Sequence, residues 1–273
     1  IVGVVLIPNK GIMNLLGKVS CLSILVEMLF LFLYIMPQGL MQSDDMSRSY
    51  QILPNVLFVL NYAYNEKKLS ALIFSLLGIG YILALGTRGP IIILLVFLFL
   101  KFLKLSSSKM WKKAFIGSII VGIGLLFTNS SLSILVLEFV KTQFEQFGLS
   151  TRVIDLAIGG KVISHTAGRD EIYGLAIQKI IERPIFGYGV YGEWPWLGWN
   201  IHNIYIELLI HYGLVLGVVL LIWMIHLVFK AYFITSNTYA RDMILIWSCL
   251  VFVRGIFGGS YLQFPVFFLI GLC

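Results

Sequence analysis

The sequence predicts an all-α polytopic integral membrane protein of about seven transmembrane helices, plus a truncated first one and a large helical extracytoplasmic loop. Three observations carry that expectation. The 273-residue chain is 59% hydrophobic and only 12% charged, with a mean hydropathy of +0.94. That leaves too little polar surface for a soluble protein of its length. Its apolar residues gather in runs close to the ~20 that a helix needs to cross a bilayer. Its lysines and arginines concentrate in alternate connections between those runs, the pattern of cytoplasmic loops.

Taken in order, an apolar fragment occupies 1–8. Because the chain opens on Ile1, this fragment is expected to be the end of a segment in a longer protein whose upstream helices are missing here. Runs follow at 19–36, 51–65, 69–86, 89–104, 114–129, 203–229 and 243–262. The run 51–65 is the weakest, being short and holding Pro54, Asn55 and Asn61; a re-entrant or tilted segment also fits it. Lys10 with Lys18, Lys67 with Lys68, the group Lys101, Lys104, Lys109, Lys112 and Lys113, and Lys230 with Arg241 mark four loops on the cytoplasmic side. The intervening connections 36–50, 86–89 and 130–202 then face outward. Three regions result: N-terminal transmembrane helices over 1–129, the extracytoplasmic loop 130–202, and C-terminal transmembrane helices over 203–273.

Inside the long loop, 134–147 alternates apolar residues with Glu138, Lys141 and Glu145, an amphipathic helix suited to an interface. A second helix is expected from Gly168-Arg169-Asp170-Glu171, where two acidic residues suit the helix dipole. It should stop before Pro184. Pro184-Ile-Phe-Gly187-Tyr-Gly189 then supplies turn chemistry, with two glycines able to take positive φ.

The formal charge of +7 does not indicate nucleic acid, because the lysines lie in short loops and report topology. Cys21, Cys249 and Cys273 lie in apolar runs without metal-ligand spacing, so neither a disulfide framework nor a metal site is expected. No cofactor is implied.

Four outward-lying basic or histidine positions stand out. Arg88 follows an apolar run and precedes Gly89-Pro90; a guanidinium there is either an interfacial anchor or a bidentate phosphate ligand. Arg254 lies within the run 243–262, about 8 residues or ~12 Å from its outer end at helical rise. A charge at that depth faces protein or a cavity, with Glu207 or Glu27 as possible partners. Arg169 opens a loop helix, so guanidinium and helix N-terminus together can hold an anion. His202 and Asn203 open the next helix after Trp194, Trp196 and Trp199, a set that suits an interfacial belt or a stacking platform for sugars. Neighbouring cations are expected to lower the pKa of His202. Asn203, Glu207 and His211 recur every four residues and form one polar stripe that requires a protein partner.

The ordered set Thr87-Arg88-Gly89, Gly168-Arg169, Pro184-Ile-Phe-Gly187-Tyr-Gly189, His202-Asn203, Glu207 and Gly213-Leu214 resembles the family of bacterial O-antigen ligases and O-antigen and capsular polysaccharide polymerases. The resemblance covers about residues 69–229. It implies a membrane glycosyltransferase of the bacterial cell envelope, acting on the outer face of the cytoplasmic membrane without a metal. Its partners would be a polyprenyl-diphosphate-linked oligosaccharide donor, a glycan acceptor and the lipid bilayer. Arg88 and Arg169 would bind the donor diphosphate, and His202 would act near the acceptor hydroxyl as base or positioning group. Asn203 and Glu207 belong to the same motif, while Arg254 is a candidate binding residue from its depth alone. The composition leans to Ile, Asn and Lys, as in AT-rich genomes, which favours a capsule or repeat-unit polymerase over a lipopolysaccharide ligase. Whether the enzyme works alone or with a chain-length regulator stays open. Two other readings compete: a transporter or flippase of such glycans, and a peptidoglycan polymerase of the shape-and-division type.

Overall fold

The computed structural model describes residues 8–35, 45–103, 117, 131–160, 169–262, 265–266, 269–270 and 273, and every regular element among them is helical. The expected run 114–129, Gly168 and all of 1–7 lie outside the described residues, Gly117 excepted. Contacts divide the chain into two units, 10–165 and 1–9 together with 166–273. The boundary between the units falls within the region 130–202.

In the first unit, α1 (Lys10–Ile35) runs for 26 residues and ends in a π-helical turn over Leu31–Ile35. It begins well before the expected 19–36, and so carries Lys10 and Lys18 on the helix rather than in a loop. Lys10 pairs with Glu66 at 3.3 Å, a bond that favours helix at this end. α2 (Asp45–Glu66) is a full 22-residue helix despite Pro54, where the sequence alone left only a short weak run. One of its polar residues, Asn55, meets partners on α1. Asn55 Oδ1 accepts from Ser20 Oγ at 3.1 Å and Asn55 Nδ2 donates to Ser23 Oγ at 2.9 Å. Asn55→Ala removes both bonds and is expected to cost about 1–2 kcal/mol, read as a lower Tm in detergent; an unchanged Tm would show that these bonds do not hold the helices together.

α3 (Leu69–Ala84) packs on α1 and α2. Gly78 allows it, since a Cβ there would stand 2.6 Å from Val56 Cγ2, and small residues are what let apolar helices approach. The turn after Ala84 leads into α4 (Arg88–Leu103). Lys101, expected in a loop, lies buried in the last turn of α4, with its ammonium 5.2 Å from the centre of the Tyr64 ring. α5 (Ser131–Gln146) and α6 (Arg152–Ile158) pair through Leu137, Ile154 and Ala157, helped by a Lys141–Asp155 ion pair at 2.7 Å. The connection between them docks on the turn before Arg88, where Ser150 N donates to Ala84 O at 3.1 Å.

The second unit holds α7 (Arg169–Glu182), the short α8 (Trp194–Leu197), α9 (Ile204–Ile234), α10 (Thr238–Ser248) and α11 (Arg254–Phe257), with a π-helical turn over Cys249–Val253 joining the last two. α9 is not the single span that 203–229 suggested. At Gly213 the backbone leaves helical geometry, with φ 74 and ψ 176. Past that point the chain changes direction sharply. A Cβ on Gly217 would stand 2.9 Å from Leu208 O, whereas nine residues of straight helix separate two atoms by about 13 Å. The stretch 214–234 covers about 31 Å at helical rise and reaches spanning length unaided.

By length and composition, two helices among the described residues are apolar enough to cross a membrane, Lys10–Ile35 and Ile204–Ile234, with Leu69–Ala84 a shorter apolar helix. They turn large apolar side chains outward, as with Leu15, Leu22 and Leu33 on α1 (the last 75% exposed) and Val215, Val219 and Ile222 on α9. Such faces are costly in water.

Candidate functional site

The break in α9 is held open by the loop that precedes it. Interrupting a helix frees carbonyls that would accept from the following turn. Here the loop fills them: Tyr188 N donates to Ile210 O at 2.8 Å and Gly189 N to His211 O at 2.9 Å. In return Leu214 N donates to Pro184 O at 2.6 Å. The contact is backbone on backbone, and both sides need glycine. A Cβ on Gly187 would stand 2.3 Å from Ile210 O, and one on Gly213 2.2 Å from Ile185 O. Pro184-Ile-Phe-Gly187-Tyr-Gly189 and Gly213-Leu214 are thus two halves of one joint.

Around this joint, α7, the loop and the first half of α9 share a small apolar core of Ala176, Ile180, Ile201 and Ile210. Trp196 packs against it and donates its indole N–H to Gly192 O at 3.0 Å. Trp194 and Trp199 are exposed instead.

Tight turns within 189–194 carry Glu193 inward, with Gly192 N donating to Gly189 O at 3.0 Å and Tyr191 at φ 61. Its side chain is fully buried and bonds through Oε2 to His211 Nε2. On the other side of the ring, His211 Nδ1 meets the Tyr261 hydroxyl at 2.7 Å, and that hydroxyl reaches Tyr212 Oη at 3.1 Å. Glu207, one turn earlier on α9 and 1% exposed, accepts from Ser260 Oγ at 2.6 Å and from Tyr261 N at 3.0 Å. Glu193, Glu207 and His211 each offer a ligand atom within 4.8 Å of the others, which makes them the group among the described residues able to hold a metal ion.

His202 and Asn203 meet opposite fates. Asn203 is the N-cap of α9, its Oδ1 accepting from Tyr205 N at 3.0 Å and Ile206 N at 3.2 Å. That oxygen is committed to the helix. His202 sits one residue earlier with φ 58 and its side chain toward solvent. Its pKa is held below the ordinary value near 6.5, first by partial burial of the ring and then by the Arg169 charge. Arg169, the first residue of α7, thus lies close enough to act on His202.

No family model, curated protein or solved structure matches the chain.

Two further placements differ from expectation. Arg254 lies in the last turn of its helix, which closes at Phe257, not some 12 Å inside. It borders a small cavity with Ile204, Gly258, Gly259 and Ser260. Of the two carboxylates named for it, Glu207 accepts from Ser260 and Tyr261 as described, and Glu27 accepts from the Tyr81 hydroxyl at 3.1 Å. Arg88 belongs to the other unit, where it opens α4. Glu193, Tyr212, Ser260 and Tyr261 escaped the sequence reading altogether. The one available signal was Glu193 itself, a lone acid in Gly192-Glu193-Trp194-Pro195-Trp196.

Proposed function

We propose that this chain is a multi-pass glycosyltransferase of a bacterial cytoplasmic membrane. It joins polyprenyl-diphosphate-linked oligosaccharide units at the outer face, for capsule or O-antigen synthesis. The observation that carries the reading is that the Arg169 charge acts on His202 within one folded unit, whose loop also exposes Trp194 and Trp199. In this mechanism the acceptor hydroxyl attacks the anomeric carbon of the donor and the carbon–oxygen bond to phosphate breaks. The diphosphate leaves with the electron pair, and the hydroxyl proton passes to His202. Charge grows on the leaving diphosphate, where a preorganised guanidinium is most effective. Arg169 and Arg88 each occupy the first residue of a helix. Arg88 lies in the other unit, and its part in holding a diphosphate is only what the resemblance implies. Trp194 and Trp199 offer apolar faces to sugar rings or to the lipid interface.

The depressed pKa of His202 fixes a pH dependence. The base-competent form is the neutral ring, so lowering the pKa widens the range in which it is present. Activity is expected to hold through neutral pH and fall only as pH drops below the depressed value. In Arg169→Gln one of the two depressing causes is gone, so the titration of His202, followed by NMR of labelled histidine, should move upward toward 6.5. An unmoved titration would separate the two residues.

One observation favours a second reading. Broken helices line the substrate sites of many transporters, and α9 is broken. In this chain, however, the loop fills the carbonyls of Ile210 and His211 at the break. Purified protein in liposomes that carry lipid-linked repeat units separates the two: lengthened glycan supports the transferase, and transbilayer movement without lengthening supports the transporter.

A further inference from the structure

We propose that Glu193, Glu207 and His211 form a binding site for one divalent cation of the zinc class, bracing the scaffold beneath His202. The inference stands on the buried cluster alone and not on the glycan reading. One imidazole nitrogen and two carboxylates make a ligand set suited to zinc and its neighbours. They come from the loop and from two successive turns of α9, and each side chain is essentially sealed from solvent.

Three observations point to a cation. The first is charge. Two carboxylates lie within 4.8 Å of each other and of His211, and their remaining partners, Ser260 and Tyr261, are neutral donors. Buried charge of one sign requires a counter-charge. The second is Glu193 Oε1, which is buried and meets no hydrogen-bond partner. A carboxylate oxygen left bare in a sealed site is rare, and a cation held by that carboxylate satisfies it. The third is the setting of His211. Its Nδ1 lies 2.7 Å from the Tyr261 hydroxyl, which can accept from Nδ1–H, and its Nε2 faces Glu193. Metal-ligating histidines are oriented in the same way, the far nitrogen donating to an oxygen of the surrounding shell.

Such an ion would tie the loop at Glu193 to the short first half of α9, and through Ser260 and Tyr261 to the turn after α11. It is separate from the arginines proposed to hold the diphosphate, so its loss reads as lost stability rather than lost donor recognition.

The test is metal analysis of the purified full chain in detergent, prepared without chelator. About one zinc-class ion per chain is expected, falling below about a tenth in Glu193→Gln and in His211→Gln and retained in Glu193→Asp. After metal removal, added cobalt should give d–d absorption in the wild type and none in Glu193→Gln. Tyr261→Phe, which keeps all three ligands, should weaken zinc affinity about 10- to 100-fold. Folded wild-type protein that contains no stoichiometric metal and takes up neither zinc nor cobalt would overturn the proposal, and a bare Glu193–His211 proton bridge would replace it. Full metal content in both Glu193→Gln and His211→Gln would overturn it equally. The wild-type arms decide even if a variant fails to fold.

Discussion

Gly213→Ala is expected to destabilise the second unit by about 4 kcal/mol or more, among the largest effects of any single substitution in this chain. Two costs combine. At φ 74 and ψ 176 the residue occupies a region open in practice to glycine alone, worth about 1–3 kcal/mol to any other residue. The added Cβ would also stand 2.2 Å from Ile185 O and 2.8 Å from Pro184 O, so the loop must move and give up its bonds to Ile210 and His211. Changes above about 4 kcal/mol arise only where such a mechanism exists. Gly189→Ala is the control. Gly189 also has positive φ, at 81, but nothing lies within 4 Å of its Cβ position, so the conformational cost alone applies, about 1 kcal/mol. Thermal unfolding in detergent, with proteolysis of the loop 183–203 as a second readout, should place the two variants far apart. Equal melting would mean that the loop is not seated in the helix break.

The largest effect on activity is expected from Arg169→Ala and His202→Ala. Removing a guanidinium that stabilises the leaving diphosphate should slow transfer about 10²–10³-fold, and removing the base about 10²–10⁴-fold. Neither residue belongs to an apolar core, so membrane insertion and Tm should stay near those of the wild type. Asn203→Ala makes the contrast with its neighbour. It removes a helix cap and should cost about 1 kcal/mol of stability, with activity per folded molecule little changed. Polymer length and donor turnover measured on the three variants distinguish a reaction site from a folding element. If Asn203→Ala lost turnover as His202→Ala does while keeping its Tm, the division of labour between the two neighbours would be wrong.

Both effects trace back to features visible in the sequence to different degrees. The helical class followed from apolar runs, and Pro184 and Gly168 bracketed a helix that the structure places at Arg169–Glu182, because start and stop signals act locally. The failures share a cause as well. Asn55 looked like a defect in a weak span because Ser20 and Ser23, which bond to it, lie over thirty residues earlier. Lys10 looked like a loop residue because Glu66, its partner, sits at the far end of another helix.

The candidate site divides in the same way. The placement of His202 and Arg169 beside helix starts was legible, because start signals act locally. The polar stripe Asn203, Glu207 and His211 was legible as a pattern, and its need for partners followed from the cost of burying charge. The partners themselves were not. Glu193 reaches His211 through turns that depend on Tyr191 and on Gly192 and Gly189, and Tyr261 arrives from fifty residues further on. No periodicity encodes either contact. The helix break was hidden for another reason. Gly213 is one glycine in a long apolar run, and only the backbone of Pro184-Ile185 lying against it distinguishes it from Gly217, which stays helical.

The central claim is that this fold joins lipid-linked glycans at a site built around Arg169 and His202. It is tested most directly by giving purified protein a polyprenyl-diphosphate-linked repeat unit and following glycan length and released polyprenyl diphosphate together. The account expects a ladder of products with one diphosphate released per linkage formed, and neither product from Arg169→Ala. Donor left intact by well-folded wild-type protein, or a ladder unchanged in Arg169→Ala, would contradict it.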